Sequence, residues 1–157
     1  MHDKDARTAG PSDGDRSAEG SPFRAGAVRY IVADVDRSIA FYEQLGFKVD
    51  HYAGPAFAKM SSGPFTLNLS GPKSSGAQPM PDGRRPEPGG WNRILLEVRD
   101  LPARVAELKK RSLKFRNEIL SGPGGRQILA EDPDGNPIEL FEPAAAPADR
   151  RQADARD

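Results

Sequence analysis

One pattern occurs twice in this chain, and no other feature restricts its fold as tightly. "VRYIVADVDRSIAFYEQLGFKV" and "ILLEVRDLPARVAELKKRSLKF" each open on a short apolar run, reach an Asp, and continue with apolar residues at helical spacing. The first copy predicts a strand over Val28–Ala33, then Asp34, then a helix that turns Ile39, Phe41, Tyr42 and Leu45 inward and closes at Gly46. The second predicts a strand over Ile94–Val98, then Asp100, then a helix with Val105 and Leu108 inside, ending in Lys109-Lys110-Arg111 before Leu113. Asp34 and Asp100 stand where a carboxylate caps free helix N–H groups and meets the positive end of the dipole. A self-similar unit of this length means duplicated supersecondary structure.

Short strands with turn signals between them follow each helix. In the first copy they are Phe47–Tyr52, Ala56–Met60 and Phe65–Leu69, with Ser61-Ser62-Gly63-Pro64 as a turn. In the second they are Phe115–Leu120, Arg126–Ala130 and Pro137–Phe141, separated by Ser121–Gly125 and by Asp132-Pro133-Asp134-Gly135, a sequence with ready turn chemistry. Each copy is therefore β-α-β-β-β, and the fold class is α+β. The ordered unit is expected over 26–142, with modules at about 26–70 and 91–142 and a Pro/Gly loop, 71–90, between them. The polar tails 1–25 and 143–157 carry too few apolar groups to offset the entropy of ordering and are expected to be disordered.

Composition removes several function classes. Lys+Arg and Asp+Glu number 23 each, so no net field draws the chain to nucleic acid or an anionic membrane. No apolar run is long enough to span a bilayer, and the N-terminal residues lack a secretory apolar region. Cysteine is absent, which rules out thiolate metal sites and Cys nucleophiles; the expected compartment is the cytoplasm. Only His2 and His51 could act as imidazole ligands or bases, so a metal site would rely on oxygen donors and suit Mg or Mn better than Zn. His51 is read as a partly exposed structural residue. "PMPDGRRPEPGG" has no phosphate-loop spacing and is read as a semi-rigid flap with Arg84 and Arg85 solvated.

The Asp34-x-x-x-Ser38-x-x-Phe41-Tyr42 helix start, the Leu45-Gly46-Phe47 exit, the repeated plan and the ending Asp132-Pro133-Asp134-Gly135-Asn136-x-Ile138-Glu139 together resemble the vicinal oxygen chelate superfamily. Glyoxalase I, extradiol dioxygenases, fosfomycin-resistance enzymes and bleomycin-resistance proteins belong to it. The resemblance covers 26–142 and implies two modules forming a cup-shaped mixed sheet with helices outside. It also implies a homodimer, with the cup completed either within one chain or across the dimer. Metalloenzymes of the family hold a divalent metal through His, Glu or Gln on the first and last strands of both modules. Those positions fall here on Ala27, Asn68, Arg93 and Glu139. Ala has no donor atom and Arg is a permanent cation, so only Glu139 is a family-type ligand.

Strand alternation turns Glu139 and Phe141 toward the cup while Ile138 and Leu140 pack against helices. By the same parity Val28, Tyr30 and Val32 pack behind the sheet, while Arg29 and Ile31 face the cup. Glu139 has three readings: an ion pair with Arg93 or Arg29, a ligand contact or general base, or a metal ligand. Arg93 either satisfies Glu139 or captures an anionic group, a task that suits a guanidinium. Trp91 either stacks on a ligand or packs at a subunit interface. The preferred reading is a small-molecule-binding protein of the glyoxalase/bleomycin-resistance type without the family's metal. Its ligand, anionic or aromatic, would be held by Arg29, Asn68, Trp91, Arg93 and Phe141. The alternatives are a glyoxalase-like lyase or isomerase with Glu139 as catalytic base, a metal-dependent dioxygenase or lyase, and a structural or regulatory module. No cofactor is expected, although a divalent metal stays open.

Overall fold

The computed structural model describes residues 20–145. The tails expected over 1–25 and 143–157 thus fall largely outside the described residues. Both modules are present. The first runs β1 (Val28–Ile31), α1 (Val35–Gln44), β2 (Lys48–Ala53), β3 (Phe57–Ser62) and β4 (Phe65–Ser70). The second runs β5 (Ile94–Glu97), α2 (Leu101–Lys110), β6 (Lys114–Phe115), β7 (Leu120–Gly122), β8 (Gly125–Glu131) and β9 (Pro137–Pro143). Between them the linker forms a short 3-10 turn over Ser75–Ala77. No helix among the described residues is long and apolar enough to cross a membrane.

Each module builds its own mixed sheet, in the orders β1-β4-β3-β2 and β5-β9-β8-β6, with β7 also on β8. The first strand of each module lies parallel to its last, and the remaining pairs are antiparallel. One expected strand is split. Phe115–Leu120 breaks into β6 and β7 because Asn117 Oδ1 takes the Leu129 N–H at 2.9 Å, a donor that an unbroken ladder would give to a main-chain carbonyl.

Helix ends follow the predicted chemistry. Asp34 accepts from Arg37 N at 3.0 Å, and Asp100 from Ala103 N at 3.3 Å. Gly46, at φ +87°, closes α1, and Phe47 N reaches back to Tyr42 O. In α2 the same place is held by Ser112, at φ +67°, with Leu113 N on Leu108 O. The second helix therefore ends by the same left-handed turn without a glycine. Glu142 on β9 accepts from Leu101 N and from Arg126, which hold its carboxyl below the usual range.

The core lies between helices and sheets. Tyr42, Met60, Leu67, Leu69, Leu101, Ile128, Ile138 and Leu140 are almost fully buried in it. Tyr42 packs edge-on to Phe41, Phe47 and Tyr30. Ile138 and Leu140 are in this core with Tyr30 and Val32, while Arg29, Asn68 and Lys59 share a register row on the opposite face. Val28, expected behind the sheet, is instead exposed at the start of β1 and outside the core.

The modules are joined by side chains of the Asp132–Asn136 turn and by Tyr30. The Asp132 carboxylate is buried and accepts four hydrogen bonds: from Tyr42 Oη, Asn136 Nδ2, Asn136 N and Asp134 N, all at 2.8–2.9 Å. Asn136 Nδ2 also donates to Ile31 O, and Asp134 accepts from Ala33 N and Arg37. Tyr30 Oη receives the Ile94 N–H and donates to Pro137 O, each at 2.8 Å. Val98 N donates to Phe141 O further along the β5–β9 ladder, and the same offset would pair Ile94 N with Pro137 O. The Tyr30 hydroxyl is therefore inserted into the first rung of the other module's sheet. Burial pushes its pKa up, so it stays a donor. Tyr30→Phe is expected to lower stability by about 1–3 kcal/mol, because two buried main-chain groups lose their partner; urea unfolding measures it, and a loss below ~0.5 kcal/mol would refute the rung.

Candidate functional site

A groove of about 550 Å³ lies between β1 and the chain entering β5, walled by Val28, Ile31, Phe65 and Leu95 and by Glu87 and Gly89 of the linker. Arg29 and Arg93 both line it. The alternation of β1 turns Arg29 away from the core, and the two residues before β5 bring Arg93 to the same opening.

Arg93 donates to Glu139 Oε1 twice, from Nε at 3.1 Å and from Nη2 at 2.8 Å. Its Nη1 has only a long contact of 3.4 Å to Trp91 O. The Glu139 side chain is 9 % exposed and that of Arg93 30 %, so the carboxylate sits beneath and the guanidinium reaches the opening. Of the two pairings expected for Glu139, the Arg93 pair forms. Both bonds fall on one oxygen, and Oε2 has no donor among the described residues.

Arg29 is held differently. Its Nη1 donates to Ser70 Oγ at 2.5 Å, a neutral acceptor, and it makes no ion pair among the described residues. The side chain lies across Gly76 of the 3-10 turn, where a Cβ would come within 2.6 Å of Nη1. Any larger residue at 76 would displace the guanidinium. Asn68, opposite Arg29 in the ladder, has a buried Oδ1 without a partner among the described residues.

Three expected contacts lie elsewhere: Asn68, Trp91 and Phe141 are not among the residues that line the groove. Trp91 does not line the groove; it is 71 % exposed, with the Arg116 guanidinium 4.8 Å from its ring centre. Arg116 also binds Glu131, Gly90 O and Gly135 O, pinning the linker where it enters the second module. Phe141 shares a face with Glu139 and pairs with Glu97 and Gln127, outside the groove wall. His51 is exposed, 6.4 Å from the Phe57 ring, as expected. Ala27 is exposed just ahead of β1. Among the described residues no three His, Cys, Asp or Glu side chains cluster as a metal site would require.

Sequence reasoning missed Ser70, Asn136 and the bridging role of Tyr30. One signal was available: a tyrosine placed on a core face needs a partner for its hydroxyl.

The described architecture recurs in known proteins. Residues 24–140 match the family model described as Glyoxalase/Bleomycin resistance protein/Dioxygenase superfamily. No curated protein matches the chain. Among solved structures, a member of that superfamily from Sphaerobacter thermophilus is similar at 29% identity and TM-score 0.58, over 76% of this chain and 98% of that one. A lactoylglutathione lyase from Agrobacterium tumefaciens shares the fold at 17% identity and TM-score 0.60, over 78% and 95%. A virulence protein of Salmonella typhimurium does so at 23% identity and TM-score 0.57, over 78% and 98%. With the family model spanning most of its length and both modules in place, the chain belongs to the Glyoxalase/Bleomycin resistance protein/Dioxygenase superfamily.

Proposed function

We propose that this protein binds a small anionic or polar molecule in the groove between β1 and β5, without the metal site of the family's metalloenzymes. The observation that carries this reading is Arg29: a guanidinium lining the groove whose partner among the described residues is a neutral hydroxyl, with Arg93 lining the same space. A carboxylate or phosphate would supply the charged acceptor that Arg29 lacks among the described residues.

The donor set does not fit a divalent cation. Ala27 has no donor atom, Asn68 offers one neutral oxygen, and the Glu139 oxygen nearest Arg93 is occupied by its guanidinium. A hard cation needs several oxygens and would be repelled by that positive charge. Binding by sequestration requires nothing further. A homodimeric, cytoplasmic protein is the form we carry forward, from the family resemblance and the absence of cysteine.

Arg29→Ala is expected to weaken small carboxylates such as benzoate by about 10–100-fold, the value of a charge-assisted hydrogen bond. Arg29 is an exposed residue, so the fold should be retained. Titration calorimetry on the full chain measures the effect. Equal affinity in both proteins would remove Arg29 from the site.

A catalytic reading is supported by the second Glu139 oxygen, which Arg93 leaves without a donor. There Glu139 would take a proton from a carbon acid, and Arg93 would stabilise the developing oxyanion. Turnover lost in Glu139→Gln with affinity retained would favour the enzyme over the sequestering protein.

A further inference from the structure

The groove does not end at its arginines. Phe65 and Leu95 also line a second cavity, of about 610 Å³, which continues between the end of α1, the β3–β4 hairpin and α2. Leu95 is 50 % exposed, so a large apolar side chain faces open space at the junction. The two compartments differ in chemistry. The first is lined by the guanidinium groups of Arg29 and Arg93 and by one carboxylate, Glu87, leaving an excess of positive charge, while the second is walled by Leu45, Leu96, Val98 and Leu108. Charged groups stand at its rim as well. Glu107 accepts from Arg104 on one oxygen and from Arg111 on the other, at 3.0 Å each, and Glu97 brings the formal charge of the rim to zero. An anionic head is therefore attracted at the Arg29 end, and the far end offers apolar surface.

We infer that the ligand is an amphipathic monocarboxylate, its carboxylate at Arg29 and its apolar tail passing between Phe65 and Leu95 into the second cavity. This rests on the reading of the Arg29 groove as the ligand site. Both compartments have volumes typical of ligand pockets. A tail that buries methylenes there gains about fourfold in affinity for each one. The cations at that end, Arg104 and Arg111, already share the Glu107 carboxylate, so a second carboxylate there would be desolvated beside Glu107 and Glu97.

The test is titration calorimetry of the full chain with linear n-alkanoates from butanoate to decanoate, below their micelle-forming concentrations. α,ω-Dicarboxylates of the same lengths run beside them, on the parent protein, Arg29→Ala and Leu95→Trp. Leu95 is half exposed and outside the core, so a larger side chain there fills the junction without unfolding the sheet. The expected result is a Kd that falls about fourfold per methylene until the cavity is filled, with no such gain for the dicarboxylates. Arg29→Ala weakens every length by one common factor, and Leu95→Trp keeps the short acids while flattening the series. Short acids that bind through Arg29 with affinity independent of length, or a series unchanged in Leu95→Trp, would overturn the tail compartment and leave the head site standing. Failure of every alkanoate to bind, or binding indifferent to Arg29→Ala, would overturn the head site and the tail with it.

Discussion

Asp132→Ala is expected to destabilise the protein by about 3–5 kcal/mol. The carboxylate takes bonds from four donors, and three of them belong to the turn that clamps the two modules. The fourth, Tyr42 Oη, is on a side chain with no solvent exposure, so it cannot turn to water instead. Each buried donor left without an acceptor costs about 1–3 kcal/mol, partly relieved by collapse or an entering water. The total is a large share of the stability of a domain this size. Urea unfolding should show a lower midpoint at unchanged slope, and a loss below about 1 kcal/mol would refute the clamp. The same group carries a pH signature. Burial raises the Asp132 pKa, and the four donated bonds oppose the rise. The folded state therefore binds this proton more tightly than the unfolded state does. Its contribution to stability declines as pH rises from the ordinary aspartate value of 3.8 through the raised folded value. Asp132→Asn should remove that slope.

Arg93→Leu should destabilise by about 2–3 kcal/mol, and the double variant Arg93→Leu/Glu139→Leu should recover most of the loss. A buried carboxylate stripped of its partner keeps the cost of desolvation, whereas removing both charges removes that cost as well. Arg93 is about a third exposed, which keeps the figure below that of a fully enclosed pair. The measurement is a double-mutant cycle by denaturant unfolding. If the double variant is as unstable as the sum of the singles, Arg93 and Glu139 are not a coupled pair. Recovery in the double variant would show that the fold does not need the pair.

Much of the architecture could be read along the chain. The two Asp-capped helices, the strand parity around Ile138 and Leu140 and the tight turn at Asp132–Gly135 are local patterns, and local patterns survive into the structure. The split of the strand after α2 was not legible. It depends on Asn117 reaching Leu129 N across the ladder, a side chain competing with main chain for one donor. Of the site residues, Arg29 and Arg93 share the groove and Glu139 pairs with Arg93, but Trp91 lies outside it against Arg116. As the only Trp, at the end of the Pro/Gly loop, Trp91 was a candidate for stacking on a ligand. Its ring direction is decided by a cation 25 positions later, which no periodicity can report.

The sequence by itself determined the duplicated β-α-β-β-β plan and most of the strand faces. These follow from the periods of strand and helix and from side-chain chemistry, which act within a few residues. Tertiary structure decided that Glu139 answers to Arg93 while Arg29 is left with a hydroxyl, and that Tyr30 and the Asp132–Asn136 turn join the modules. These are contacts between groups about 40 to 107 positions apart. Several acceptors compete for each guanidinium, and the winner is fixed by where packing places the strands.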